Sequence, residues 1–582
     1  MFLGLFGPGP NPSACFIENG HIIFWAEEER FTRIKTSPNS LPLISIQKGL
    51  DFLKRDASEI KAIGYGWDCE NYKETANRNL KETASKFPSS SDKLNSISQE
   101  KLNLIYNPLV IKNKLDLFFR KFNLNNTPPI YFISHHLCHA ASTIPLSPSL
   151  NDSAIITNDG VGGIVSSAIF QYKDKILHDP IKQVKLPNSL GSVYAAITEY
   201  LGYRAYEDEG RVMGLSCYGR YNNYLKNAFN KIIKPLSASD GFFESDPTYR
   251  YNYQRSYGNR FSDKLVDLLG PPRKSEESPM EPRFKNIAFA LQSSLEEILI
   301  NMSEWTKEKT GAENCFYAGG IHMNCKANGK IVSRNIFKRC FFQPASSDNG
   351  VSLGAAIIAQ KKFSNTSKII SGQMQSLYQG SSYSDNEIEK ILKKSKIKYI
   401  KSKNIAKEAA KSINENKIIG WFQGRMEVGA RALGARSILA NPISKDARDL
   451  VNVNVKNREK WRPFCPSVLE ESFNNYFVEP DSVCNKEYMI IAFEVHKNLL
   501  SQIPSCIHID NTARPQKVSK NNNPLYWNLL NELKLLQDHP IVLNTSFNVK
   551  GEPIVENPEQ ALRCFYSTGI DELFIGSFII KK

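Results

Sequence analysis

Short apolar runs separated by turn residues open the chain. Residues 2–6, 13–17 and 21–26 predict three strands, and a tight turn at residues 18–20 joins the last two. Residues 152–172 repeat this form, because an apolar run leads into a glycine-rich turn and then into an alternating run. Two units of strand, turn and strand predict an internally duplicated α/β domain.

A long helix and further strands follow. The buried face of the helix is marked by apolar residues at three- and four-residue spacing, namely Ile287, Leu291, Leu295, Ile298 and Met302. Residues 315–318 then predict a strand that runs into two glycines and a helix, and residues 340–343 predict a strand before a polar loop and a helix over 351–362. This order is typical of a nucleotide-binding α/β fold.

Polar residues crowd from 363 to 384 and predict the linker between two domains, which we place at residues 1–370 and 371–582. No low-complexity tract or short-period repeat interrupts either domain. Three closing elements are predicted for the second domain: a strand at 541–544, a helix with Asn557 as cap and Pro558 in its first turn, and a strand at 572–580.

Composition and charge narrow the class of protein. The chain of 582 residues is longer than one hydrophobic core supports, so more than one domain is expected. Its content of 41% apolar and 23% charged residues is ordinary for a globular protein. The net charge of +15 favours anionic partners, although the lysines are spread rather than gathered in one run. The eleven cysteines form no C-x-x-C pair, and residues 2–6 are too short for a signal peptide. We expect a cytoplasmic protein with no membrane partner.

Two histidines and two aspartates form a candidate metal site. His135 and His139 stand four residues apart, so on a helix they share one face. Asp159 follows a predicted strand, and Asp348 lies in a polar loop. Two imidazoles and two carboxylates without a thiolate suit Fe²⁺, Mn²⁺ or Zn²⁺. The alternative is a set of polar side chains at a domain interface.

Candidate nucleotide contacts follow the predicted strands. Bare backbone at Gly319 and Gly320 could approach a nucleotide, and Asn324 could hydrogen-bond to its ribose or phosphate. Glu209 could face a ribose hydroxyl. The alternatives are an ordinary tight turn and a solvated acidic loop.

Residues 424–436 carry glycines and arginines at near five-residue steps, including Arg431. So many glycines would cost an exposed helix about 1 kcal/mol each, so we predict a loop at the start of this stretch. The basic and polar residues that follow are Lys456, Arg458, Arg462, Arg514, Asn544 and Ser546. Guanidinium forks suit several phosphates held close together. The alternative is a basic surface paired with acidic helices.

Together these residues resemble the NodU/CmcH-type O-carbamoyltransferase family over essentially the whole chain. The matching blocks occur in the family's order at residues 26–33, 135–142, 207–215, 319–329, 424–439, 458–469 and 544–553. The resemblance implies a duplicated N-terminal domain of the actin-like ATPase superfamily (ASKHA, TsaD-like) joined to a YrdC-like α/β domain. It also implies an ATP-dependent enzyme that forms carbamoyl adenylate from carbamoyl phosphate and transfers the carbamoyl group to a hydroxyl.

The resemblance assigns roles to the candidate residues. His135, His139, Asp159 and Asp348 would bind a divalent ion, which is Fe²⁺ by family analogy. Carbamoyl phosphate and ATP, with Mg²⁺, would be held by Arg431, Lys456, Arg462, Arg514, Asn544 and Ser546. The acceptor would be a small molecule such as a sugar or secondary metabolite, with no nucleic acid partner, and a homodimer is a further expectation.

Two departures from the family pattern stand out. Pro10 and Asn11 occupy the place of a frequent His-Asp pair, and Arg211 stands where lysine is common. Asn11 cannot take a proton, so a nearby histidine such as His136, a phosphate or the substrate would have to act as base. Two alternatives remain open: a tRNA-modifying enzyme that transfers a carbamoyl-type group, and an inactive binding member of the family.

Overall fold

The computed structural model describes residues 1–38, 40–69, 107–124, 126–148, 152–237, 239–250, 259–372, 374–444, 446–459 and 462–582. The chain forms two compact units. The first unit contains Met1–Ile22, Pro38–Leu43 and Lys54–Gln375, and the second contains Ile23–Ser37, Ile44–Leu53 and Ser376–Lys582. Two short segments from the start of the chain therefore belong to the second unit.

The strands of both units are, in chain order, β1 (Phe2–Phe6), β2 (Ser13–Glu18), β3 (His21–Glu27), β4 (Ala62–Tyr65), β5 (Ile130–Phe132), β6 (Asp152–Gly162), β7 (Val165–Lys173), β8 (Ile176–Leu177), β9 (Lys182–Lys185), β10 (Ile233–Pro235), β11 (Phe243–Ser245), β12 (Asn314–Ala318), β13 (Arg339–Phe342), β14 (Ile400–Lys401), β15 (Ile419–Phe422), β16 (Arg436–Ala440), β17 (Cys465–Leu469), β18 (Phe493–Glu494), β19 (Thr512–Ala513), β20 (Gln516–Val518), β21 (Ile541–Ser546), β22 (Glu572–Ile575) and β23 (Phe578–Lys581).

The α-helices are α1 (Glu29–Thr32), α2 (Leu43–Leu53), α3 (Pro108–Arg120), α4 (His135–Thr143), α5 (Leu190–Tyr200), α6 (Glu209–Ser216), α7 (Asn223–Ile232), α8 (Asp263–Leu269), α9 (Pro282–Thr310), α10 (Cys325–Ser333), α11 (Val351–Phe363), α12 (Asp385–Lys394), α13 (Ile405–Asn414), α14 (Ala447–Leu450), α15 (Phe473–Tyr476), α16 (Pro524–Lys534) and α17 (Pro558–Tyr566). One π-helical turn, Val451–Val455, follows α14.

The two large sheets of the first unit share one strand order. In the first sheet, β1 pairs antiparallel with β2 and parallel with β4, and β4 pairs parallel with β5. Strand β3, whose residues His21 and Ile22 belong to this unit, extends the sheet beside β2. In the second sheet, β6 pairs antiparallel with β7 and parallel with β12, β12 pairs parallel with β13, and β8 and β9 pair with β7. The predicted duplication is confirmed.

The second unit is a three-layer α/β structure around an eight-stranded sheet of order β14-β23-β22-β15-β16-β21-β17-β20. Its side chains alternate between two hydrophobic cores. Leu573 and Ile575 face the core that contains α12 and α17, whereas Phe574 faces the core that contains α13 and α16. Both faces of the sheet are therefore covered by helices, as expected where strands are apolar at successive positions.

Most sequence predictions for individual elements are confirmed. The opening hairpin, the helix beginning at His135, the long α9 and the helix capped by Asn557 all form. The single strand predicted at 572–580 is wrong, because the chain turns at Gly576 and returns as β23, antiparallel to β22. The carboxylate of Asp385 accepts the N–H of Ser577 and holds this turn. Among the described residues, no helix is both long and apolar enough to cross a bilayer.

The α/β fold class is confirmed for both units by these sheets and the helices around them. In the first unit, α11 packs against β1 and β4 of the first sheet and also against α4. Because α11 follows directly after residue 350, its packing fixes where the preceding loop lies. This arrangement brings the predicted metal ligands together.

Candidate functional site

The four predicted metal ligands of the first unit converge in one cluster. His135 Nε2 and His139 Nε2 lie 3.1 Å apart, and Asp159 Oδ2 lies 3.2 Å and 2.9 Å from them. Asp348 Oδ1 lies 3.4 Å from His135 Nε2 and 3.7 Å from His139 Nε2. One ligand atom from each residue falls within a span of 4.8 Å, so this group could hold a metal ion.

Three elements place these side chains. Both histidines lie on α4, where their four-residue spacing puts them on one face. Asp159 lies in β6, and Asp348 lies in a 3₁₀ turn directly before α11. A side chain at Gly354 of α11 would lie 1.8 Å from the carbonyl oxygen of Cys138, so only glycine allows α11 to approach α4 this closely. The close contact brings Asp348 to the histidines.

The chemistry of the cluster fits a divalent cation. Burial lowers the pKa of His135, but hydrogen bonds to Asp159 and Asp348 outweigh it and raise the pKa to about 10. Burial opposes the charge of Asp159 too, yet the two histidines hold the pKa of Asp159 well below its usual value. His135 Nδ1 lies 3.2 Å from Gly66 O and can donate to it, which turns Nε2 toward the cluster as a ligand requires. Two carboxylates and two imidazoles suit a metal of borderline softness.

His136, the candidate base, does not point into this cluster. Its Nδ1 lies 2.8 Å from Thr157 Oγ1, and its Nε2 lies 3.0 Å from Val165 O. Burial lowers the pKa of His136 to about 3, and the neighbouring histidines add to the effect. Both ring nitrogens are therefore engaged, and the ring is neutral. Asn11, at the departure from the family pattern, lies beside the cluster loop and donates to Ser347 Oγ at 3.3 Å.

The predicted glycine turn lies next to the cluster. Gly319 has φ +95°, and a side chain there would lie 2.1 Å from Asn158 O. A side chain at Gly320 would lie 3.1 Å from Asp159 Oδ1. Bare backbone at this turn is therefore enforced by its approach to β6, and it faces a metal-site carboxylate.

Asn324 and Glu209 are held by protein contacts. Asn324 caps α10 by accepting the N–H of Ala327 at 3.0 Å, and its amide also exchanges hydrogen bonds with Gln292. The carboxylate of Glu209, in the first turn of α6, accepts the N–H of Tyr206. Burial raises the pKa of Glu209 to about 7. The structure does not place either residue in hydrogen-bond contact with the four-residue cluster.

In the second unit, Lys456 is buried among oxygen atoms that carry no charge. Its ammonium donates to Ser546 O, to Asn548 O at 3.0 Å and to Asn548 Oδ1 at 2.7 Å, and Ser546 Oγ lies 3.3 Å away. Burial lowers the pKa of Lys456 well below its usual value, and the charges of Arg458 and Arg462 lower it further. A nearby anion would stabilise the charged form of this buried amine.

The remaining predicted residues lie around the same sheet. Arg514 points its Nε and Nη2 at Cys465 Sγ, at 3.2 Å and 3.0 Å, and Cys465 is opposite Asn544 in the ladder of β17 and β21. Asn544 is fully buried and donates to Ser467 Oγ and Gln516 Oε1, both at 3.1 Å. Its amide nitrogen is therefore hydrogen-bonded to side chains within the sheet. Arg431 lies half-buried in the loop of residues 424–436.

The 424–436 loop is organised by two buried charged side chains, and the predicted absence of a helix is confirmed. Glu427 Oε1 accepts the backbone N–H groups of Leu433, Ala435 and Arg436 at 2.7–3.3 Å. The guanidinium of Arg436 donates to the carbonyls of Gln423 and Gly424 and lies 3.7 Å above the ring of Phe422. These hydrogen bonds join the two ends of the loop into a backbone frame.

Sequence reasoning missed residues at the start of the chain that hold this frame. Glu27 and Arg30 contact the 424–436 loop, and Arg33 contacts residues 553 and 554, all within the second unit. The sequence did contain a signal for these residues: several charged residues follow directly after an apolar strand. They lie in the block of residues 26–33, which matches the family but to which no role was assigned.

Comparison with known proteins decides the family. The family model for the N-terminus of carbamoyltransferases matches residues 11–357, and the model for their C-terminus matches residues 410–582. The chain belongs to the carbamoyltransferase family. The resemblance drawn from the seven sequence blocks is thereby confirmed, as is the prediction that the chain is a carbamoyl-transferring enzyme.

Curated relatives cover nearly the whole chain. It is 32% identical to an uncharacterized protein of Synechocystis sp., over 100% of this chain and 96% of the relative. It is 34% identical to nodulation protein NolNO of Sinorhizobium fredii, over 98% of this chain and 78% of that protein, and 26% identical to nodulation protein U of the same species over 80% of each.

Solved structures align only loosely. Component A of the (R)-2-hydroxyglutaryl-CoA dehydratase of Acidaminococcus fermentans aligns at a TM-score of 0.33 and 10% identity, over 62% of this chain and 98% of that chain. Full-length HypF in its phosphate- and nucleotide-bound form aligns at 0.31 and 13% identity, over 62% of this chain and 55% of that chain. Similarities of this size support no argument about the site.

Proposed function

We propose that this carbamoyltransferase is ATP-dependent and transfers the carbamoyl group to a hydroxyl of a small molecule. A YrdC-like domain at residues 371–582 would form carbamoyl adenylate, and a TsaD-like domain at residues 1–370 would carry out the transfer. The observation that carries the proposal is the pairing of two unlike sites within one carbamoyltransferase chain: a cation site built from His135, His139, Asp159 and Asp348, and the anion site around Lys456.

In the proposed activation, water releases phosphate from carbamoyl phosphate and leaves carbamate. A carbamate oxygen then attacks the α-phosphorus of ATP, and the bond to pyrophosphate breaks. This step gathers several phosphates in one place. Lys456, with Arg431, Arg462, Arg514 and Ser546, would hold them, because positive charge must lie where negative charge develops. The buried ammonium of Lys456, surrounded by uncharged oxygens, supports this role.

In the proposed transfer, the acceptor hydroxyl attacks the carbonyl carbon of carbamoyl adenylate, its proton passes to a base, and AMP leaves. The aspartates and histidines of the cluster would hold a divalent ion, Fe²⁺ in our proposal, with Mg²⁺ accompanying ATP. Such an ion would supply a Lewis acid toward the nucleotide phosphate. Gly319, Gly320, Asn324 and Glu209 would contact the nucleotide. The exposed backbone of Gly320 beside Asp159 supports that position.

We further propose that the acceptor is a sugar or secondary metabolite, that the enzyme acts in the cytoplasm without nucleic acid, and that it forms a homodimer. The absence of disulfides among the described cysteines is compatible with a reducing compartment. A purified sample that retains RNA, or binds RNA in a salt-dependent manner, would contradict the small-molecule acceptor.

The test is pyrophosphate release from ATP by the purified protein, with and without carbamoyl phosphate and with no acceptor added. We expect release only when carbamoyl phosphate is present. Release without carbamoyl phosphate would indicate ordinary ATP cleavage, and no release from folded, ATP-binding protein would indicate an inactive member of the family. Either result would refute the proposed activation.

A further inference from the structure

The segment of residues 23–37, which we call the N-terminal segment, belongs to the second unit although the main part of that unit, Ser376–Lys582, begins more than 300 residues later. Glu27 and Arg30 of this segment both contact Gly429. Glu27 Oε1 accepts the N–H of Gly429 at 2.7 Å, and Arg30 Nη2 donates to the carbonyl oxygen of Gly429 at 2.7 Å. Both polar groups of one peptide residue are thus held by a pair of charged side chains.

The pair is buried. Arg30 and Glu27 are 1% and 2% exposed, and the side chains lie 3.4 Å apart. Burial works against the charge of Arg30, but Glu27, Glu29 and Glu427 outweigh it and keep the pKa of Arg30 above its usual value. A buried ion pair adds little net stability, so we attribute its role here to the geometry that it fixes. Here the geometry is that of Gly429, which has φ +103° and lies two residues before Arg431.

A third residue of the segment holds a second loop. Arg33 donates through Nη1 to Ile554 O and through Nη2 to Pro553 O, both at 2.7 Å. This loop follows Ser546 and Asn548, whose oxygens receive the ammonium of Lys456. The charge of Lys35, in the same segment, also contributes to lowering the pKa of Lys456. The segment therefore reaches both loops that flank the anion site.

We infer that Glu27, Arg30 and Arg33 are positioning residues that set the two phosphate-binding loops of the second unit. The inference rests on the proposed activation in that unit, and it adds residues from the start of the chain to the groups on which that activation depends. These side chains fix the loop that carries Arg431 and the loop that follows the oxygen partners of Lys456, and they do not themselves need to touch substrate. Loss of one charge-assisted bond should weaken ligand affinity while the fold remains.

The experiment uses full-length Glu27→Gln, Arg30→Lys and Arg33→Lys, with Glu28→Gln as matched control. Glu28 is equally buried in the same segment, but it accepts the N–H groups of Ile44 and Ser45 and contacts neither loop. Two experiments are made: amide hydrogen exchange of the peptides covering residues 424–436 and 546–556, and kinetics of carbamoyl-phosphate-dependent pyrophosphate release, which give the KM for ATP and kcat.

We expect Glu27→Gln and Arg30→Lys to speed exchange in the first peptide, and Arg33→Lys in the second, with KM for ATP rising about 10- to 100-fold, the effect of one hydrogen bond to a charged group. Glu28→Gln should change neither. Faster exchange with unchanged KM, or an equal rise of KM in Glu28→Gln, would overturn the inference. If the wild type releases no pyrophosphate, the proposed function fails alone, and unchanged exchange in the variants then overturns the positioning role separately.

Discussion

The two candidate sites differ in how their charge is balanced. In the first unit, imidazoles and carboxylates face each other, so Asp159 and His135 each shift the pKa of the other toward the charged form. In the second unit, the hydrogen bonds of the Lys456 ammonium to the described residues go to uncharged oxygens, burial lowers its pKa, and nearby arginines lower it further. The first arrangement suits a cation, whereas the second contains a buried amine whose charged form an anion would stabilise.

The difference indicates which site depends on its ligand. Histidine–aspartate pairs can satisfy one another when no ion is bound, so the first site keeps its geometry by itself. A buried ammonium bonded to uncharged oxygens is costly, so in the proposed activation the arriving phosphate oxygens would complete the second site. This reasoning predicts opposite responses of the two sites to mutation and to pH.

The largest expected effect is on metal content. His139→Ala removes one of two imidazoles. Mutation of residues that only orient metal ligands lowers metal affinity about 10- to 100-fold, so we expect the loss of a ligand itself to lower the bound metal after purification and dialysis by more. Elemental analysis measures this quantity directly and does not depend on activity. It would also distinguish Fe²⁺ from Mn²⁺ and Zn²⁺.

His136→Gln is the matched control, because His136 is buried on the same helix but bonds to Thr157 and Val165. It should retain the metal. Equal metal content in His139→Ala and the wild type would contradict the cluster as a metal site. Loss of metal only in His136→Gln would show that His136, and not His139, is the ligand.

A smaller effect is expected from pH on the anion site. Burial lowers the pKa of Lys456, and a bound phosphate would raise this pKa again. At a pH above the lowered pKa, Lys456 must therefore take up a proton when the phosphate binds. Affinity for a non-hydrolysable ATP analogue should therefore weaken as the pH rises above the lowered pKa toward the usual lysine value of about 10.4, by at most about tenfold per pH unit. Titration calorimetry at several pH values measures the change.

Lys456→Arg sharpens this prediction, since a guanidinium keeps its charge throughout this range. Its affinity should vary less with pH than that of the wild type. A wild-type affinity that does not change as the pH rises toward the usual pKa of lysine, or that strengthens, would contradict the role of Lys456 as the titrating group.

Most of the first site could be predicted from sequence because the residues that suggest it lie in short, recognisable patterns. The spacing of His135 and His139 implies one helical face, and Asp159 follows an apolar strand at a glycine turn. Asp348 joins them through helix packing that the sequence only hints at with Gly354. The loop character of residues 424–436 was also readable, because glycine at that density disfavours a helix.

The contacts of the second site were less readable because they join distant parts of the chain. Glu27 and Gly429 lie 402 positions apart, and no periodicity links them. Asn544 stays a predicted ligand residue, and the sequence did not show that its place in β21 directs its amide nitrogen to Ser467 and Gln516. Similarly, an apolar run hid the turn at Gly576, since both strands around it are equally buried.

The central claim is that activation and transfer occupy different sites. The most direct measurement is carbamoyl-phosphate-dependent pyrophosphate release, without acceptor, by His139→Ala and Lys456→Ala side by side. We expect His139→Ala to stay within about twofold of wild type and Lys456→Ala to lose about 10²- to 10³-fold, the cost of removing one preorganised charge-stabilising donor. Loss of release in His139→Ala, or wild-type release in Lys456→Ala, would contradict the claim.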